Sequence, residues 1–176
     1  VTETRRIEDV PADLERLGAL AGAGVGARAA AAKFRERLAA LRTRHAERPK
    51  VRVFYQVWNQ PLMTVGGQQI ISDAIRLCGG ENVFAALKPM AAAVTVEAVL
   101  AADPEAIVAS GMGEERPEWL DEWRRWPALT AVGRNNLFFV HPDHLQRHTP
   151  RILDGIERLC EHLETARTRR PAGAAR

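Results

Sequence analysis

The sequence predicts an α/β fold: a three-layer sandwich with a mostly parallel central sheet, preceded by one long helix. Three observations lead there. Runs dense in β-branched and aromatic residues recur at VRVFYQVW (51–58), EAIVAS (105–110) and NNLFFVH (135–141), as buried strands require. The segments between them repeat apolar residues at three- and four-residue spacing, the period of a helix. Strands buried on both faces and alternating with helices need a sheet covered on both sides. With 176 residues, 46% of them hydrophobic, the chain is long enough for a core without metals or crosslinks.

Taken in order, VTETRRIEDVPADLERLGAL reads as a short extended piece and then a helix. Asp9 is its expected cap, Pro11 suits a first helical position, and Leu14, Leu17 and Leu20 share a face,. Gly22, Gly24 and Gly26 loosen the chain before a run of Ala, Arg and Leu that stops ahead of Pro49,. The expectation is one helix from about Gly26 to Glu47, laying Phe34, Leu38 and Leu41 on a core and exposing an Arg-rich face,. After the first strand, NQPLMTVGG is a loop, and QQIISDAIRLCGG is an amphipathic helix with a glycine end,. Thr95 caps a two-turn helix, Pro104 leads into the second strand, and PEWLDEWRRW is a helix with Trp119, Trp123 and Trp126 as a packed stripe,. The last helix follows Pro150 and ends in an Arg- and Ala-rich tail expected to fray,.

Charge excludes one class of partner. The net charge is +3, but it divides unevenly. Residues 1–50 hold 11 basic and 7 acidic side chains, 51–164 hold 10 and 15, and 165–176 hold 4 and none. A nucleic-acid-binding face needs excess Lys and Arg on the folded body. Here the body is acidic.

Ligands of parallel sheets bind beyond the carboxyl ends of the strands, which selects the loops Trp58 to Gly67, Ser110 to Pro117 and His141 to Thr149. Trp58 offers an aromatic platform or, equally, packs on Pro61 and Leu62,. Asp143 and Arg147 combine an acceptor with a planar five-donor fork,. His141, His144 and His148, with Asp143, could ligate a metal in a hydrolase only if the stretch were helical, and Pro142 and Pro150 oppose that,. GMGEE (111–115) lacks the strand-GxGxxG-helix pattern of dinucleotide binding, and no nucleophile elbow, phosphate loop or CxxC pair is present,. Cys78 and Cys160 are either buried thiols or one long-range disulfide,.

The segments VFYQVWNQPLMTVGGQQIISDAIRLCGGENVFA, VTVEAVLAADPEAIVASG and FFVHPDHLQRHTPRILDGIERLC together resemble the periplasmic cobalamin-binding proteins of bacterial ABC importers, over about residues 1–165. The resemblance implies a non-enzymatic substrate-binding component that captures a corrinoid between two lobes and delivers it to a membrane permease, with no cofactor beyond that ligand. On it, residues 1–20 are a remnant of an N-terminal lobe, 21–50 the inter-lobe helix, 51–166 the C-terminal lobe and 167–176 a flexible tail. The missing N-terminal lobe becomes a partner, and its absence leaves a surface on which two fragments could pair. The family's ligand-binding Asp and Arg fall on Asp143 and Arg147, and a ligand-facing aromatic falls on Val57, with Trp58 beside it as a substitute. A second family aromatic falls on Ala91. A permease-docking carboxylate falls on Glu97, and a disulfide pairs Cys78 with Cys160 in an oxidising periplasm. Haem or a ferric siderophore is the alternative ligand of the same fold.

Overall fold

Alternation along β1 (Val51–Gln56) sets the layers. Val51, Val53 and Tyr55 join Phe34, Leu38, Ile75 and Ile156 in one apolar cluster, while Phe54 joins Leu120, Trp123 and Leu129 in another. Successive residues of a strand point to opposite faces, so β1 is the floor of one core and the ceiling of the other. These positions come from a computed structural model that describes residues 4–111, 115–147 and 149–172.

β3 (Gly80–Asn82), β5 (Ala106–Ala109) and β6 (Leu137–Phe139) run parallel to β1 in the order β3-β1-β5-β6. Val53 registers with Ala106, and Ile107 with Leu137. One face is covered by α2 (Gly24–His45), α3 (Ile70–Leu77) and α7 (Ile152–Thr168). The other is covered by α4 (Val96–Ala102), a 3₁₀ helix (Glu118–Arg125) and the single turn α5 (Thr130–Gly133). The expected three-layer α/β sandwich is therefore present. Each buried Ile, Leu or Phe in these layers contributes about 1.5–3 kcal/mol.

In α2, Ala31, Phe34, Leu38, Leu41 and His45 are buried at three- and four-residue spacing. Its arginines are largely spent on carboxylates: Arg37 reaches Asp154 and Glu157 of α7, each at 2.7 Å, Arg35 forks onto Glu15 and Arg42 pairs with Glu8. α1 (Asp9–Leu20) lies against α2 so closely that a methyl on Gly18 would fall 2.1 Å from the Ala27 Cβ.

Several local expectations need correction. Glu8, not Asp9, is the N-cap of α1; Asp9 works from inside the first turn, its Oδ2 accepting the backbone N–H groups of Arg5 and Arg6. Val10 and Pro11 are buried there, whereas Leu17 and Leu20 are 59% and 82% exposed. NQPLMTVGG contains β2 (Met63–Val65), which pairs antiparallel with β4 (Ala91–Ala93). Two three-residue strands, one of them all Ala, carry too little β propensity to be read locally. The 117–126 helix is 3₁₀, and its Trp123 is buried with Trp119 and Trp126 packed beside it. Finally, α7 runs to Thr168 and the expected tail is anchored at its start. Arg167 donates to the carbonyls of Pro49, Cys78 and Gly79, and Arg170 pairs with Glu105 at 2.9 Å.

The end of α3 is tied to α7 by a disulfide between Cys78 and Cys160, 82 residues apart, with Cα atoms 4.8 Å apart.

Candidate functional site

The carboxyl ends of β1, β5 and β6 open onto three connections. The first leaves β1 and doubles back: Val57 N–H donates to the Met63 carbonyl at 2.9 Å and Met63 N–H to the Trp58 carbonyl at 3.0 Å, with a cis Gln60–Pro61 bond at the tip. Gln56 holds this turn against the 3₁₀ helix, accepting from Trp123 Nε1 at 2.7 Å and donating to Asn59 Oδ1 at 3.3 Å.

The two aromatic-site candidates line different cavities. Val57 lines an apolar depression of about 280 Å³ with Val65, Ile71, Met90, Ala91 and two glutamines, Gln69 and Gln146. Trp58 lines a different, open groove of about 840 Å³ with Trp119, Glu118 and Glu122, and its Nε1 donates to the Gln60 carbonyl at 2.9 Å. Trp58 and Val57 thus present their side chains to separate parts of the surface. The depression also gathers Ala91 from β4, placed there by the β2–β4 pairing.

The connection after β6 begins with the single helical turn α6 (Pro142–Leu145). Pro142 occupies a first-turn position, where its missing N–H costs nothing, and His141 Nδ1 accepts the Asp143 N–H at 3.1 Å as the cap. One turn later Arg147 Nε lies 2.8 Å from Asp143 Oδ1, with the two side chains 68% and 44% exposed. Between them Gln146 donates to Ser110 Oγ at 2.7 Å and to the Gly111 carbonyl at 3.3 Å, pinning α6 to the end of β5. From below, Gly155 of α7 comes so close that a Cβ there would sit 2.4 Å from the His144 carbonyl oxygen.

The histidine cluster does not assemble a metal site among the described residues. His141 has its Nδ1 engaged as a cap and lies 5.3 Å, ring to ring, from His144. His148 and residues 112–114 of the second connection lie outside the described residues. No group of three or more His, Cys, Asp or Glu in the described part is placed to hold a metal ion.

Glu97 is exposed in the first turn of α4, whose N-cap Thr95 accepts the Ala98 N–H at 3.2 Å. A carboxylate there complements the helix dipole. Sequence reasoning missed Met90, Gln69 and Gln146. Met90 is 54% exposed, an apolar residue in a loop that periodicity does not flag, while Gln146 sits beside Arg147 in the same turn, the one signal that pointed to it.

The model of the periplasmic binding protein family matches residues 1–144. Over 170 residues the chain is 34% identical to the vitamin B12-binding protein of Vibrio parahaemolyticus, a match covering 95% of this chain and 60% of that protein. The chain thus spans about three fifths of the length of that curated relative. Its fold superposes with a TM-score of 0.80 on the periplasmic vitamin B12 binding protein BtuF of Vibrio cholerae, at 32% identity over 94% of this chain and 64% of that one. The periplasmic heme-binding protein RhuT of Roseiflexus sp. RS-1 gives the same TM-score at 18% identity, covering 92% and 65%, a likeness of fold alone.

Proposed function

Because the chain belongs to the periplasmic binding protein family, we propose that it forms one wall of a corrinoid-binding cleft in the substrate-binding component of an ABC importer. The observation that carries this reading is the 34% identity to a vitamin B12-binding protein over 95% of the chain, where the haem-binding neighbour shares the fold at 18%. On this reading residues 51–166 are one lobe, α2 is the inter-lobe helix, and a second lobe closes over the ligand. The apolar surface around Val57 and Ala91 buries part of the ligand's apolar periphery. Asp143 and Arg147 at the rim give an acceptor and a fork of donors to its polar edge,. The relatives are named as binding proteins, and we read this protein likewise as capturing its ligand unchanged, in the periplasm.

Handover to a permease needs an exposed charge that pairs across an interface, and Glu97 is assigned that part; such contacts steer association and weaken with salt. Glu97→Ala should leave capture intact and slow uptake by cells.

The reading is tested by incubating the intact protein separately with cyanocobalamin, haemin and a ferric hydroxamate, then desalting. Corrinoid absorbance travelling with the protein supports it. A haem or ferric hydroxamate band in its place would reassign the ligand, and no band with any of the three would overturn the reading.

A further inference from the structure

Resting on the corrinoid reading, we propose that the depression beside Val57 is a socket that selects a neutral primary carboxamide on a short alkyl arm and discriminates against a carboxylate. Its volume of about 280 Å³ is smaller than the roughly 300–1,000 Å³ of sites that enclose a drug-sized ligand. It can take a side arm of a macrocycle but not the ring. Its walls are apolar, from Val57, Val65, Ile71 and Ala91, and its two amides are Gln69 and Gln146.

The protein itself sets which way each amide faces. Gln146 Nε2 donates to the Gly111 carbonyl, which can only accept, so the nitrogen must be on that side. Gln69 Oε1 accepts the Ile71 N–H as the cap of α3, and a backbone N–H can only donate. Each side chain therefore commits one end to the fold. Among the hydrogen bonds of the described residues the opposite ends are uncommitted, Gln69 Nε2 as a donor and Gln146 Oε1 as an acceptor. A primary carboxamide carries the complementary pair, a carbonyl and an N–H. A carboxylate offers no proton to Gln146 Oε1 and loses its hydration against apolar walls. Arg147 does not reverse this preference, because its charge is already matched by Asp143 at 2.8 Å.

Corrinoids bear propionamide arms that mild hydrolysis converts singly to the b-, d- and e-monocarboxylic acids. Binding of cyanocobalamin and of these three acids to the intact protein, compared by calorimetric titration, tests the socket. At least one acid should bind about tenfold or more weaker than cyanocobalamin, the cost of leaving one acceptor unpaired where the bound arm covers it. In Gln146→Met, which keeps the length of the side chain and removes the acceptor, that penalty should shrink to a few-fold. Equal affinity for all four ligands in the unaltered protein would overturn the socket while leaving corrinoid capture standing. A penalty unchanged in Gln146→Met would overturn it too. No binding of cyanocobalamin itself would instead remove the functional reading and the socket with it.

Discussion

Arg147 and Asp143 form an ion pair one helical turn apart, Nε to Oδ1 at 2.8 Å, on the solvent side of α6. Both side chains are largely exposed, and an exposed pair of this kind contributes about 0–1 kcal/mol to stability. On the proposed reading its value lies in contacting the ligand. Arg147→Ala should leave the melting temperature nearly unchanged, within about 0.5 kcal/mol, and weaken corrinoid binding about tenfold or more, since a hydrogen bond to a charged group is worth about 1.5–3 kcal/mol. Parallel melts and titrations check the separation. Unchanged affinity would remove Arg147 from the site.

Gly155 supports that pair from beneath. A methyl group added there would sit 2.4 Å from the His144 carbonyl, so α6 must move away from α7. Gly155→Ala is expected to destabilise by about 1–3 kcal/mol, the usual cost of overpacking, and to weaken ligand binding as well, because α6 carries Asp143. A variant that melts and binds like the parent would show that α6 adjusts freely.

The disulfide spans 82 residues. On the chain-entropy model, removing it with Cys78→Ser and Cys160→Ser costs about 4–5 kcal/mol, seen as a lower denaturation midpoint. Thiol titration of the unfolded, unreduced protein should find no free thiol. Two reactive thiols would contradict the pairing.

The parallel sheet, its flanking helices and the buried stripe of α2 were legible because periodicity and punctuation are local signals. Phe34, Leu38 and Leu41 recur where a helix must bury them, and Thr95 caps as its side-chain chemistry dictates. What was not legible depended on contacts distant in sequence. β4 is three alanines that become a strand only because Met63–Val65 lies beside them. Leu17 and Leu20 share a helical face with Leu14, yet they extend past the core and stay exposed. At the site, Asp143 and Arg147 were found as a pair, while the separate cavities of Val57 and Trp58 belong to a turn fixed by Met63. The socket glutamines cap the start of α3 and the end of α6, far apart in sequence and adjacent only in the fold.

A pH response follows from His162. Its ring stacks on Phe138, with centroids 4.6 Å apart, and Nε2 lies 3.1 Å from the Phe139 carbonyl. Burial there holds its pKa below the ordinary 6.5, and burial does the same at His45. As pH falls below 6.5, the unfolded chain takes up these protons before the folded one, so stability declines from there down through the lowered folded-state values and is unaffected by them above. Melting temperatures followed from about pH 7.5 to about pH 5 should fall, and less steeply in His162→Phe, which keeps the stack and cannot titrate. Identical slopes would assign the acid sensitivity to other groups.

On the proposed function, the connections at the carboxyl ends of β1, β5 and β6 form one wall of a corrinoid cleft. Calorimetric titration of the intact protein with cyanocobalamin tests it most directly. Saturable binding at one corrinoid per protein is expected, weakened by Arg147→Ala. A flat titration, with no heat and no binding of corrinoid by equilibrium dialysis of the same sample, would contradict it.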